Sequence, residues 1–178
     1  MSQSLGKETS LTRSYLGVAA VLVPFIVALV WIRGGTPTPV TDNLVLLPPI
    51  FVLVVLTVVV LALTAVVRNV SIIRGKASMR YYETYGDERP AEWIERPAKT
   101  FNNLFQVPML FYVVCLLMMV TEQIDSIQVT LAWLFVGTRF AHAFIYIVFN
   151  RVPYRFAAFF TGVLTLGVLW GRFASAVA

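Results

Sequence analysis

The sequence predicts an all-α integral membrane protein with five membrane-spanning helices. Of its 178 residues, 58% are hydrophobic and 13% are charged, whereas soluble domains average about 45–50% apolar and about 25% charged residues. The mean hydropathy is also high, at +0.79. Five apolar runs are candidates for crossing a bilayer, the last of them with residues 155 and 171–173 as flanks: residues 16–32, 44–67, 101–120, 127–149 and 156–170.

The first apolar run, 16–32, is predicted to be a retained helix rather than a cleaved signal peptide. Pro24 and Trp31 stand where the small residues of a cleavage site would be expected. This prediction divides the chain into two parts. Residues 1–43 hold the tail, the additional helix and an outer loop, and residues 44–178 form a four-helix domain with a cytoplasmic loop at 68–100.

Basic residues predict the orientation of these spans. Two of them, Arg33 and Arg172, fall on one side of a five-span topology. Eleven fall on the other side: Lys7, Arg13, Arg68, Arg74, Lys76, Arg80, Arg89, Arg96, Lys99, Arg151 and Arg155. The excess of Lys and Arg in cytoplasmic loops then puts the N-terminus in the cytoplasm and the C-terminus outside. Because membrane topology accounts for the +5 formal charge, no nucleic-acid partner is expected.

The loop at 68–100 is the only long polar stretch of the sequence, and we expect it to be partly helical. It contains aromatic residues of the kind found at membrane interfaces, namely Tyr81, Tyr82, Tyr85 and Trp93. We therefore expect the loop to lie against the membrane surface.

A polar stripe lies inside the fourth apolar run. Arg139, His142 and Tyr146 are spaced by three and four residues, which places them on one face of a helix. A charged side chain at the centre of a bilayer costs about 2.5–3.5 kcal/mol on insertion scales, so such residues usually face inward and have a partner. No Asp or Glu lies in any apolar run. The partner of Arg139 is therefore Asn103 or Gln106, a backbone carbonyl or a bound anion.

A second polar face precedes the third apolar run. Arg96, Lys99, Asn103 and Gln106 are spaced by three, four and three residues, on a helix whose start Pro97 favours. With Arg151 and Arg155 at the start of the fifth run, three helices bring polar groups to one site in the cytoplasmic leaflet. This convergence predicts a cavity.

Each of these residues also has a structural interpretation. Asn103 and Gln106 are also explained by hydrogen bonds to a neighbouring helix, which contribute about 0.6 kcal/mol each. Arg151 is better explained as a basic flank that contacts anionic lipid, and Tyr146 alone is typical of an interfacial anchor. Arg139 lies too deep for a flank.

Metal and disulfide chemistry are not expected. Cys115 is the only cysteine and lies in an apolar run, so neither a disulfide framework nor a cysteine-based metal site forms within one chain. His142 is the only histidine and has no carboxylates nearby in the sequence, so we expect no metal site.

Two blocks of the sequence resemble the MAPEG family, the membrane-associated proteins of eicosanoid and glutathione metabolism. The first block, residues 95–106, reads ERPAKTFNNLFQ, and the second, residues 139–146, reads RFAHAFIY and is followed by RVPYR at 151–155. The resemblance covers about residues 44–173 and leaves 16–32 as an additional helix. It implies a MAPEG-like four-helix core and a homotrimer, with glutathione bound between neighbouring subunits at the cytoplasmic side.

The resemblance also implies roles for individual residues. Asn103, His142, Tyr146 and Arg155 occupy glutathione-contacting positions, and Arg139 occupies a buried position that is either structural or binding. Arg96, Lys99 and Gln106 belong to the same implied glutathione site. Arg155 is the candidate catalytic residue, because an arginine beside the sulfur favours the thiolate over the thiol.

Four positions depart from the family pattern. Gln106 replaces the family glutamate, and Asn102 stands where members that use glutathione often have arginine. Phe156 and Phe159 replace the serine and tyrosine of eicosanoid-pathway members. These departures indicate a divergent, bacterial-type member of an inner membrane, and eicosanoid substrates are not expected.

The sequence supports two hypotheses about function. The first is a glutathione-dependent transferase or peroxidase-like protein acting on lipophilic electrophiles. The alternative is a non-enzymatic scaffold or accessory subunit of a larger membrane complex, docked through helix 16–32. A small-solute carrier is disfavoured, because the sequence has no internal repeat and no paired broken helices.

Overall fold

The computed structural model describes residues 37–85 and 89–178, and the predicted first span at 16–32 lies outside the described residues. A short 3-10 turn at Asn43–Leu46 leads into the first described helix. Five helices follow: α1 (Leu47–Ile73), α2 (Met79–Thr84), α3 (Glu92–Thr121), α4 (Ser126–Phe144) and α5 (Val152–Val177). A π-helical turn at Ile145–Phe149 continues α4.

Four of these helical stretches are long and apolar enough to cross a membrane: Asn43–Ile73, Glu92–Thr121, Ser126–Phe149 and Val152–Val177. They contain the four predicted apolar runs of residues 44–170. Valine and phenylalanine side chains cover the outward face of α1, where Phe51, Val55 and Val58 are exposed. Such a surface is stable only in lipid. The prediction of an all-α membrane bundle is confirmed.

The polar stretch at 68–100 is partly helical, because it contains α2 and because α1 and α3 both extend into it. The third helix begins at Glu92 rather than at Pro97. Glu92 and Glu95 lie in its first turn, where negative charge is favoured by the helix dipole. Pro97 is therefore inside the helix, where its missing N–H removes only the bond to the carbonyl of Trp93.

The helices pack chiefly in two pairs, α1 against α3 and α4 against α5. Phe111 of α3 stacks on Phe135 of α4, with ring centroids 4.7 Å apart, and this contact joins the two pairs. Cys115 is fully buried beside them in the core.

The two ends of the bundle differ in charge. The basic end contains the connection between α1 and α3 and the turn between α4 and α5. At the opposite end, Val40 N donates to the carbonyl of Ile124 at 3.0 Å, and Asp125 caps α4. Arg172 near the end of α5 forms an ion pair with Asp125 at 2.7 Å. This ion pair ties the start of α4 to the end of α5.

Candidate functional site

A cavity of about 230 Å³ lies at the basic end, where α3, α4 and α5 meet. Its polar lining comes from Asn103 of α3, His142 and Tyr146 of the α4 stretch, and Arg155 of α5. Its apolar lining is Val152, Phe156 and Phe159, all from the first two turns of α5.

The end of α4 positions Tyr146. The π-helical turn is closed by a hydrogen bond from Asn150 N to the carbonyl of Ile145, 2.7 Å long. Asn150 then adopts the left-handed conformation, with φ of 45°, which asparagine accepts more readily than most residues. The chain reverses at this point and α5 begins two residues later, with Pro153 in its first turn. As a result, the side chains of Tyr146 and Arg155 face each other.

Arg155 is held by two different contacts. Its guanidinium carbon lies 4.0 Å from the centre of the Tyr146 ring, a cation–π geometry. Its Nη1 donates to Oδ1 of Asn150 at 2.8 Å. The guanidinium is thus half-buried at the wall of the cavity, and no carboxylate among the described residues forms an ion pair with it.

His142 forms the inner wall of the cavity. Only 3% of the residue is exposed, and its ring lies 6.0 Å from that of Tyr146 and 5.8 Å from that of Phe159. Among the described residues, no group of three or more His, Cys, Asp or Glu side chains is placed to hold a metal ion. The imidazole lines the cavity.

Asn103 reaches the cavity from α3. Its Nδ2 donates to the carbonyl of Lys99 on its own helix at 3.0 Å. One amide donor is thus already used, and Oδ1 is the acceptor that this side chain offers to a ligand.

Arg139 lies deeper in the interface between α4 and α5 and does not line the cavity. Only 1% of it is exposed. Its Nη2 donates to the backbone carbonyls of Phe159 at 2.9 Å and Ala158 at 3.4 Å. Its guanidinium lies between the rings of Phe135 and Phe159, at 5.1 and 5.3 Å. Of the partners considered from the sequence, the backbone carbonyls are the ones observed.

Gly162 of α5 makes room for this arginine. A Cβ atom added at Gly162 would overlap the guanidinium, since it would lie 2.7 Å from Arg139 Cζ and 2.6 Å from Thr138 Oγ1. The absence of a side chain at this one position lets the arginine approach the backbone of α5.

The other predicted site residues lie away from the cavity in the subunit. Arg96 pairs with Glu92 of its own helix at 3.7 Å, while Lys99 and Gln106 are exposed. The structure thus brings together Asn103, His142, Tyr146 and Arg155, and leaves Arg96, Lys99, Gln106 and Arg139 outside the cavity lining.

A separate polar cluster lies beside the site, where α2 meets α1 and α3. Glu95 accepts hydrogen bonds from Arg68 at 3.3 Å and from the Tyr82 hydroxyl at 3.1 Å. Burial and the neighbouring negative charge of Glu95 raise the pKa of Tyr82 from 10.0 to about 12. The Glu95 carboxylate is therefore engaged by groups from α1 and α2.

Sequence reasoning missed three residues that shape the site: Asn150, Val152 and Gly162. Pro153 is a signal for a break between helices close to Asn150. For Gly162 the sequence carries no comparable signal, because a glycine within an apolar helix is common in membrane spans.

Comparison with known proteins gives one match. The family model described as the MAPEG family matches residues 46–175. No curated protein and no solved structure matches the chain.

Proposed function

Since the chain belongs to the MAPEG family, we propose that it is a membrane-embedded, glutathione-dependent transferase or peroxidase-like protein that acts on lipophilic electrophiles. The observation that carries this proposal is the cavity at the basic end. It combines one half-buried arginine, one histidine and one amide with an apolar wall.

The residues of the cavity suit part of glutathione well. Arg155 supplies positive charge to a molecule that is an anion at neutral pH, and Asn103 Oδ1 accepts a hydrogen bond from a peptide or ammonium N–H. Gln106 carries no charge and is exposed, so an ammonium group loses the ionic partner implied by the resemblance. We expect the affinity for glutathione to be correspondingly modest.

The size of the cavity supports a site shared between subunits. Pockets that enclose small molecules usually measure about 300–1,000 Å³, whereas this cavity measures about 230 Å³. One subunit therefore encloses only part of a tripeptide. We propose that neighbouring subunits of a homotrimer complete the site.

Glutathione would supply the nucleophilic thiol of the reaction. The role of Arg155 is to favour the ionised sulfur by its fixed positive charge. Tyr146 and Asn150 hold the guanidinium at the cavity wall rather than in solvent. His142 and Asn103 orient the ligand through their polar atoms.

The apolar wall supports a lipophilic second substrate. Phe156 is 60% exposed and stacks on Phe160, with ring centroids 5.8 Å apart, on the outer face of α5. This places an aromatic surface between the cavity and the lipid phase. An electrophile dissolved in the bilayer reaches the cavity past these rings without entering water.

The proposal includes a location and an orientation. We propose an inner membrane of bacterial type, with the basic end of the bundle, and with it the cavity, in the cytoplasm. The N-terminus then lies in the cytoplasm and the C-terminus outside. In this arrangement the cavity opens to the compartment that holds glutathione.

Isothermal titration of the purified protein in detergent micelles with glutathione tests the proposal. We expect binding in the wild-type protein and a loss of about tenfold or more in affinity for Arg155→Ala, since a hydrogen bond to a charged group contributes about 1.5–3 kcal/mol. Arg151→Ala is the matched control, because Arg151 is exposed, lies four residues earlier and is not part of the cavity lining. Absence of binding to the wild-type protein at millimolar glutathione would overturn the proposal.

The scaffold alternative is supported by one specific observation. Arg139 is bound to the backbone of α5 and lies outside the cavity lining, so the most deeply buried charge in the described structure serves helix packing. In that case the chain would act as a structural subunit, with the predicted helix 16–32 docked against a partner protein.

A further inference from the structure

We infer that Asn150, together with Glu92, is a positioning residue that holds the guanidinium of Arg155 at the cavity wall. The contacts that position Arg155 do not depend on the proposed function, while their consequence for thiol chemistry rests on it. No sequence motif singled out either residue for this role.

The backbone places Asn150 where three helices meet. It closes the π-helical turn after α4 and has the left-handed conformation, with φ of 45°. This conformation turns the chain between the residue that stacks on Arg155 and the helix that bears it. Because Tyr146 and Arg155 lie on opposite sides of this turn, Asn150 sets how they meet.

The side chain of Asn150 is engaged at both ends of its amide. Nδ2 donates to Glu92 Oε1 at the start of α3, and Oδ1 accepts from Arg155 Nη1 at 2.8 Å. A carboxylate accepts hydrogen bonds and does not donate them, so the NH₂ group must face Glu92. The amide oxygen is thereby directed to the arginine.

Glu92 is itself anchored on α3. Arg96, one turn later on that helix, lies 3.7 Å from its carboxylate. The chain of contacts therefore runs from α3 through Glu92 and Asn150 to Arg155 on α5. It couples the start of α3 to the orientation of the arginine.

Arg155 needs such a restraint because its side chain is long and only half-buried. Arginines near the ends of membrane helices tend to extend toward water. The Tyr146 ring supports one face of the guanidinium, at 4.0 Å, while Asn150 fixes its edge. The two contacts together define the position of the group, whereas either one alone leaves a rotation free.

The first test measures the freedom of Arg155 directly and needs no glutathione. Phenylglyoxal modifies accessible arginines, and peptide mapping by mass spectrometry gives the rate at each site. We expect Asn150→Gly, which keeps the left-handed backbone but removes the amide, to raise the rate at Arg155 about two- to fivefold, the factor expected when one part-buried hydrogen bond is lost.

Two controls accompany this measurement. The rate at Arg151, which is exposed, should be unchanged in the same digest. Asn150→Asp keeps an acceptor for the arginine but loses the donor to Glu92, so the rate at Arg155 should lie below that of Asn150→Gly. Equal rates at Arg155 in the wild type and in Asn150→Gly would overturn the inference.

The second test connects the geometry to the chemistry. Ultraviolet absorbance of the thiolate, followed against pH, gives the pKa of the thiol of bound glutathione. We expect this pKa to rise by about one unit in Asn150→Gly, which is a tenfold loss of thiolate at a given pH, with thermal unfolding unchanged. An unchanged thiol pKa together with faster phenylglyoxal modification would restrict Asn150 to a structural role, and would overturn its part in the chemistry. Absence of glutathione binding in the wild type would instead overturn the proposed function, while the phenylglyoxal rates still decide the positioning of Arg155.

Discussion

Arg139 and Arg155 belong to the same helix pair and have opposite environments. Arg139 projects from α4 into α5, is 1% exposed and bonds to backbone carbonyls that already belong to a helix. Arg155 projects from α5 toward the end of α4, is half-buried and contacts side chains at the edge of a cavity. Depth in the membrane therefore does not by itself identify a functional charge. What distinguishes the two arginines is whether the guanidinium faces a space that a ligand can enter.

The strongest test of this difference is the removal of each arginine in turn. Arg139→Ala removes the group packed between Phe135 and Phe159, and we expect it to lower the free energy of unfolding by about 2–5 kcal/mol, as large-to-small changes in cores do. We also expect it to impair assembly, measured by native mass spectrometry. Arg155→Ala should lower the free energy of unfolding by only about 1 kcal/mol, because it removes one part-exposed cation–π contact and one hydrogen bond. Equal losses of stability in the two variants would contradict the division of roles.

The second test acts on the space that Arg139 occupies. Gly162→Ala places a Cβ atom against the guanidinium, and we expect this overpacking to cost about 1–3 kcal/mol of unfolding free energy. Gly167→Ala, on the same helix, meets nothing within 4 Å and is the matched control. Its stability should stay equal or rise by up to about 1 kcal/mol, because alanine favours a helix over glycine. Titration with a denaturing detergent measures both variants, and a Gly162→Ala protein as stable as the control would be evidence against the close approach.

The third test asks whether Arg155 acts by charge alone. Arg155→Lys keeps the positive charge but loses the planar group that stacks on Tyr146 and bonds to Asn150. We expect glutathione to bind about tenfold more weakly to this variant than to the wild type, a difference of about 1.4 kcal/mol. Calorimetry measures this, with Arg151→Lys as the control. Full affinity in Arg155→Lys would show that a point charge is sufficient.

The smallest effect is expected at Tyr82, outside the membrane core. Its hydroxyl shares the Glu95 carboxylate with a third arginine, Arg68. Burial and the charge of Glu95 raise the pKa of Tyr82 from 10.0 to about 12, so the folded state holds the phenolic proton more tightly than the unfolded state. This contribution to stability is complete below pH 10 and is lost as the pH rises to about 12. Tyr82→Phe has no proton to lose, so its thermal unfolding temperature should fall less steeply across this range. Parallel curves for the two proteins would argue against the raised pKa.

The fold of the described residues was predictable because it depends on apolar length, which the sequence displays directly. Arg139, His142 and Tyr146 were likewise recognisable as a stripe, since helical spacing follows from residue numbers. What spacing could not distinguish was a residue that lines a cavity from one that bonds to the next helix. Arg139 and His142 lie on the same face, only three residues apart, and have these two different roles.

Other features depended on contacts between segments far apart in the sequence. The contact of Asn150 with Glu92 joins residues 58 positions apart. The missing side chain at Gly162 matters because Arg139, from another helix, occupies the space. Gln106 illustrates the opposite case, because its position in a family motif suggested a role in the cavity while the subunit leaves it exposed. Local pattern predicted the elements, and the packing of the helices decided which polar groups share a space.

The π-helical turn at Ile145–Phe149 makes the shape of the cavity depend on chain length as well as on chemistry. A turn closed by a bond from residue i to i+5 holds one residue more than an α-helical turn. Loss of one residue from 147–149 would let α4 close with ordinary α-helical bonds and remain a helix. It would also rotate the chain that follows by about 100°, the step of one residue in a helix with 3.6 residues per turn. Tyr146 and Arg155 would then no longer meet, although both would still be present. A deletion in this turn therefore erases the contact without changing either residue, and the spacing of the two residues is as much a part of the site as their identity.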